Sequence, residues 1–157
     1  MLDRIFPKQF DNTYRGLWLA VWLFVPLMLM KATQGVNSII MTRLVLVDAD
    51  GIPVDQYTNG GAETVVALFA LLGMYVLIIP LQSFIVLWRY RSMIPFMYLC
   101  FIAAQIGARV LNTINPIAHP GGQPIGFTIN LVIFGLTLIG FALSLQDRSP
   151  RRVEATA

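Results

Sequence analysis

Four long runs of apolar residues, separated by short polar or charged stretches, dominate the pattern along this chain. Each run is close to the roughly 20 residues with which a helix crosses the 30 Å hydrocarbon core of a bilayer. The predicted spans cover residues of about 15–41, 62–88, 93–112 and 125–145. They predict an all-α membrane protein, a four-transmembrane-helix bundle that forms one membrane domain over residues 1–157 and has a polar C-terminal tail at 146–157.

The first span is the least apolar of the four. Its apolar run from Leu17 to Met30 is short, so the helix must continue through Lys31 and Gln34, which makes its outer third polar. The run alone would also fit the apolar region of a signal peptide. Because it is followed by Lys31 rather than by a small-residue cleavage site, we expect an uncleaved span.

Composition indicates lipid as the surrounding medium. Hydrophobic residues make up 57% of the chain and charged residues only 12%, which is far from the balance of soluble domains. The net charge of +3 does not indicate nucleic acid binding, because the basic residues lie at the ends of the apolar runs instead of on one soluble face. The expected partners are the lipid bilayer and other membrane subunits or further copies of this chain, with no nucleic acid.

The basic residues also predict an orientation, because cytoplasmic loops are enriched in Lys and Arg. They gather on one side of the predicted bundle: Arg4, Lys8, Arg15, Arg89, Arg91, Arg148, Arg151 and Arg152. Both termini should therefore be cytoplasmic. The general pattern is typical of small four-span proteins of bacterial inner membranes, so we expect an integral protein of the inner (plasma) membrane.

The first outer loop predicts a small β-hairpin, because apolar residues at 44–47 and 52–54 flank a turn at 48–51. Asp48 and Asp50 have the spacing of two calcium-loop ligands, but the twelfth position of that loop is Asn59, so a plain turn is expected. The second outer loop is rich in Pro and Gly and contains His119, which we expect to be solvated rather than a ligand. No metal site is predicted.

Several membrane functions require residues that this chain lacks. A bis-histidine haem needs two axial histidines, and the sequence contains one. Thiol oxidoreductases need a cysteine pair, and Cys100 is alone. The serines of the spans have no histidine partner, and no paired carboxylates lie deep in the apolar runs. We therefore predict no catalytic residues, no cofactor and no enzymatic activity.

Small residues indicate where helices approach each other. On the third span, Ala103 and Gly107 are four residues apart, as are Ala104 and Ala108. Such pairs let helix backbones come close. They predict a contact either within the bundle or between copies of the chain.

A group of polar residues remains in the outer half of the first and third spans. On the third span, Gln105 and Arg109 are four residues apart and project from one face. At a rise of about 1.5 Å per residue, Lys31 and Arg109 lie at similar heights, about 9 Å below the outer edge for Lys31. The candidate site residues are Lys31, Gln34, Glu63, Gln105 and Arg109.

Two interpretations of this group stay open. The residues could line an outward-facing pocket for a small anionic or polar ligand. We favour the structural alternative, in which Glu63 pairs with Lys31 or Arg109 and the amides bond between helices. The predicted function is accordingly a non-enzymatic accessory, assembly or scaffold component of a membrane; the alternative is a small oligomeric solute-binding or transport protein that uses the polar group.

Overall fold

The chain is helical and contains no strand in the part that the computed structural model describes, residues 2–117 and 122–146. Four helices are long and apolar enough to cross a membrane, which confirms the all-α prediction at that level. In chain order the α-helices are α1 Leu2–Ile5, α2 Trp18–Ile40, α3 Thr42–Leu44, α4 Asn59–Arg89, α5 Ile94–Ile114 and α6 Ile125–Ser144. His119 and most of the C-terminal tail, with three of the predicted inner cations, lie outside the described residues.

The four long helices run alternately up and down and pack as a ring. α4 and α6 both pack on α2, and α5 packs on α6 and on α4. α2 and α5 begin, and α4 and α6 end, at what we call the N-terminal end of the bundle; the other end is the distal end. The Arg4 side chain donates to the Leu145 carbonyl oxygen at 2.5 Å. Both ends of the described chain therefore lie on the same side.

The main hydrophobic core lies between the four long helices, towards the N-terminal end, and most of its buried residues come from α2 and α5. Its largest fully buried side chain is Tyr98, whose ring centroid is 5.1 Å from that of Phe24. The Tyr98 hydroxyl donates to the Ala20 carbonyl oxygen at 2.6 Å. Gly140 makes room for the ring, because a Cβ at this position would lie 2.5 Å from Tyr98 Cζ. One aromatic residue thus joins three of the four long helices.

Two glycines bring the backbones of α2 and α4 together. Gly35 and Gly73 are both buried. A Cβ on Gly73 would lie 2.9 Å from Ser38 Cβ and 3.1 Å from the Gly35 carbonyl oxygen. Only hydrogen atoms fit in that space, so the two helices cross at backbone contact distance. Neither glycine belongs to the small-residue pairs predicted on the third span.

The predicted β-hairpin in the first outer loop is wrong. Residues 42–56 form α3, a π-helical turn at Val45–Ala49 and a 3₁₀ turn at Val54–Gln56. Leu46 and Val54 are completely buried against α4. The two short apolar runs that resembled strands instead form helical turns, which satisfy backbone groups locally without a partner strand and bury Leu46 and Val54.

This folded loop, residues 42–56, forms a cap on the distal end of α4. The helix has 31 residues, so it is about 46 Å long and exceeds the hydrocarbon thickness of roughly 30 Å. Its N-cap is Thr58, whose hydroxyl accepts the Gly61 N–H at 3.3 Å. The extra length places the start of α4 beside the cap, where Ala62, Val65 and Phe69 cover the buried loop residues.

Candidate polar site

Three helices bring polar side chains together in the distal half of the bundle. Lys31 and Gln34 are one turn apart on α2, and the Lys31 ammonium donates to Gln34 Oε1 at 2.9 Å. The same ammonium donates to Asn130 Oδ1 of α6 at 2.9 Å. The Gln34 amide also donates to Asn130 Oδ1, at 3.4 Å. The Asn130 side chain therefore links α6 to α2 through hydrogen bonds with Lys31 and Gln34.

Arg109 reaches the same residue from α5. Its Nη2 donates to the backbone carbonyl oxygen of Asn130 at 3.3 Å, and the guanidinium lies over the Phe134 ring at 4.8 Å from the centroid. The cation is half-buried, and its Nε–H is buried without a hydrogen-bond partner among the described residues. The Arg109 Nε–H is thus a hydrogen-bond donor that is not used by any described residue.

Gln105 lies one turn before Arg109 and is nearly completely buried. Its amide nitrogen donates to Thr137 Oγ1 at 3.3 Å, and the Thr137 hydroxyl in turn donates to the Ile133 carbonyl oxygen at 2.6 Å. Gln105 Oε1 has no partner among the described residues. Buried polar atoms are nearly always satisfied, so an unpaired acceptor on Gln105 and an unpaired donor on Arg109 are sites at which a further polar group could bind.

The fifth candidate residue, Glu63, does not join this group. Its carboxylate accepts from Arg43 Nη2 at 2.7 Å, and both side chains are exposed. Asp55 lies on the same arginine, with 3.8 Å between Arg43 Nη1 and Asp55 Oδ1. In the part of the chain that the structure describes, no carboxylate pairs with Lys31 or Arg109. The described hydrogen-bond acceptors of Lys31 and Arg109 are side-chain amide and backbone carbonyl oxygens.

The sequence interpretation missed Asn130 and Thr137, which come from the fourth span. A signal was present, because Asn130 is the only carboxamide in α6, whose other polar residues are hydroxyl side chains. Polar residues inside a span generally face the bundle interior and bond to other helices. Residues from a third helix could not be assigned to the site, however, without knowing which helices are neighbours.

The chain matches no known protein family, no curated protein and no solved structure. The chemistry of the site therefore rests on its own residues.

The site offers positive charge and hydrogen-bond donors. Lys31 and Arg109 donate hydrogen bonds to two different oxygens of the same residue, Asn130. Across the described ranges, no group of three or more His, Cys, Asp or Glu residues is placed to hold a metal ion. Guanidinium and ammonium groups of this kind bind carboxylate or phosphate oxygens through short, charge-assisted hydrogen bonds.

Proposed function

We propose that this protein is a non-enzymatic membrane component that binds an anionic group, a carboxylate or a phosphate, between Lys31 and Arg109. A single observation carries the proposal: both cations converge on Asn130, and no described carboxylate neutralises them. The structural alternative counted Glu63 as a partner of either cation, together with amide hydrogen bonds between helices. Glu63 instead pairs with Arg43 on the surface.

The energetic reason is the cost of holding like charges in a medium of low polarity. Charged groups within a bilayer cost several kcal/mol each unless they reach water or a partner of opposite charge. Two cations that bond to the side chain and the backbone of one residue, Asn130, also repel each other. An anion between them would remove the repulsion, accept the free Arg109 Nε–H and leave the existing bonds to Asn130 in place.

The existing contacts hold the two cations inside the bundle. Lys side chains near an interface commonly extend to the headgroups. Here the Lys31 ammonium is held by Gln34 and Asn130. The Arg109 guanidinium is held over Phe134. These contacts hold both side chains in place and so reduce the ordering that ligand binding would require.

Anion-dependent stability in lipid nanodiscs tests the proposal. Four proteins are unfolded thermally in chloride, glutamate or phosphate at equal ionic strength. They are the wild type, the site variants Lys31→Met and Arg109→Met, and the control Arg43→Met. A ligand present at about 100 times its Kd stabilises the folded state by roughly 2.7 kcal/mol. The wild type and the Arg43 variant should gain stability in one of the polyatomic anions, whereas the two site variants should not.

The control separates site binding from general salt effects. Phosphate stabilises many proteins because it is excluded from their surface, but that effect would be the same in all four proteins. An equal gain in Arg109→Met and in wild type would refute the proposal. Loss of folding in both site variants, in every buffer, would favour the structural interpretation.

The accessory, assembly or scaffold role expected from the sequence stays a prediction. Purification in mild detergent tests it, because a stoichiometric larger complex would support that role. A homo-oligomer that purifies alone would favour solute handling by the Lys31 and Arg109 site.

A further inference from the structure

A second charged region lies at the opposite end of the bundle, where the N-terminal segment folds back over the ends of α5 and α6. The Ser92 hydroxyl donates to the Asp11 carbonyl oxygen at 2.9 Å, and the Asp11 N–H donates to the Ser92 hydroxyl oxygen at 3.2 Å. Arg4 is bonded to the end of α6 through Leu145. These contacts fix residues 4–16 as a strap across the bundle end.

The strap encloses one side of a cavity of about 370 Å³. Binding sites for small molecules commonly have volumes of roughly 300–1,000 Å³, so the space would accommodate a headgroup or a small metabolite. Its floor is formed by Pro95 of α5 and Ser144 of α6. If the four long helices cross a bilayer, this cavity is at the depth of the lipid headgroups.

Positive charge predominates in the cavity lining. Three cations, Arg4, Lys8 and Arg15, face two acids, Asp3 and Asp11. Lys8 and Arg15 are exposed, and the structure gives neither of them an ion pair within the described ranges. Both side chains are therefore available to a guest.

Tyr14 adds a hydrogen-bond donor. It lines the cavity, and its hydroxyl oxygen is buried without a partner among the described residues. Burial raises the pKa of Tyr14 to about 12, although the nearby Arg4 charge acts in the opposite direction. The hydroxyl therefore keeps its proton at neutral pH. A buried donor with no acceptor is unfavourable, and a guest that accepts its hydrogen bond would remove that cost.

We propose that this cavity binds an anionic phosphate group, with Lys8 and Arg15 supplying charge and the Tyr14 hydroxyl donating a hydrogen bond. A membrane lipid headgroup and a soluble phosphate ester both carry such a group. The site is separate from the Lys31 and Arg109 site, since it lies at the other end of the helices.

Native mass spectrometry of the detergent-solubilised protein distinguishes the two sources. The protein is titrated with phosphatidylglycerol, with phosphatidylcholine, whose charge is balanced, and with glycerol 1-phosphate. Preference for phosphatidylglycerol over phosphatidylcholine by about tenfold would identify a lipid site, since a charge-assisted hydrogen bond corresponds to roughly that factor. Binding of glycerol 1-phosphate alone would identify a soluble ligand.

Three variants connect binding to the cavity. The double variant, Lys8→Gln together with Arg15→Gln, should weaken binding of the phosphate-containing probe by about tenfold or more. Tyr14→Phe should weaken it by a smaller factor while leaving the thermal stability of the ligand-free protein unchanged or higher, because the unpaired hydroxyl is gone. Arg89→Gln is the matched control: it removes one cation from the same end of the bundle but outside this cavity.

The proposal is overturned if none of the three probes binds, or if the Lys8 and Arg15 double variant binds as tightly as wild type. It is also overturned if Arg89→Gln weakens binding as much as the double variant, since the effect would then come from the general charge of this surface. A Tyr14→Phe protein that loses stability without ligand, yet binds normally, would show that the hydroxyl has a purely structural role.

Discussion

Replacing Gly73 by alanine tests the close crossing of α2 and α4. The new methyl group would lie 2.9 Å from Ser38 Cβ, 3.0 Å from Ile39 Cγ1 and 3.1 Å from the Gly35 carbonyl oxygen. Two of these neighbours are held by the α2 backbone and cannot rotate away. Overpacking a tight contact costs about 1–3 kcal/mol, so we expect Gly73→Ala to destabilise the protein by that amount.

Gly107→Ala is the matched control. It introduces the same methyl group on α5, at a position with no atom within 4 Å. Because alanine favours helices over glycine by up to about 1 kcal/mol in water, this variant should be neutral or slightly more stable. Reversible unfolding in mixed micelles of mild detergent and SDS, followed by circular dichroism, compares the two. Equal unfolding midpoints for Gly73→Ala and Gly107→Ala would refute the crossing.

Three further outcomes are expected. Tyr98→Phe keeps the ring but loses the bond to the Ala20 carbonyl oxygen, so unfolding titrations should show a loss of about 1 kcal/mol or somewhat more. Thr137→Val leaves the Gln105 amide without its partner and should cost about 1–3 kcal/mol, whereas combining it with Gln105→Leu should recover most of that loss. Burial raises the pKa of Tyr14 from 10.0 to about 12, so the protonated form is favoured in the folded state. Ionisation of this group should leave the stability unchanged below pH 10 and lower it as the pH rises towards 12; thermal unfolding across that range should show a shallower decline for Tyr14→Phe than for wild type.

The number and approximate position of the long helices could be predicted because span length and hydrophobicity depend on local sequence and bilayer thickness. The cap could not. Leu46 and Val54 belong to short apolar runs on either side of a turn sequence, as in a hairpin, but they lie in helical turns that pack against α4. Short apolar runs do not distinguish the two conformations.

The candidate site was predicted only in part, for a related reason. Spacing along one helix placed Gln105 and Arg109 on the same face, and height along the axis matched Arg109 with Lys31. The partner of Glu63 depended on the cap, which brings Arg43 close to it. Asn130 depended on α6 being a neighbour of both α2 and α5. Such adjacency arises from packing between distant segments, which periodicity does not encode.

The unequal lengths of the long helices have a consequence for the lipid around them. α6 has 20 residues and is about 30 Å long, whereas α4 is about 46 Å long, and α2 separates them. The first turns of α4 lie beside the cap, so this helix can extend past the distal edge of a bilayer that α6 only just spans. Any apolar length of α4 that still exceeds the bilayer can be accommodated by inclination of the helix or by a thicker membrane along that flank. Bilayers of graded acyl-chain length would reveal which adjustment the protein makes.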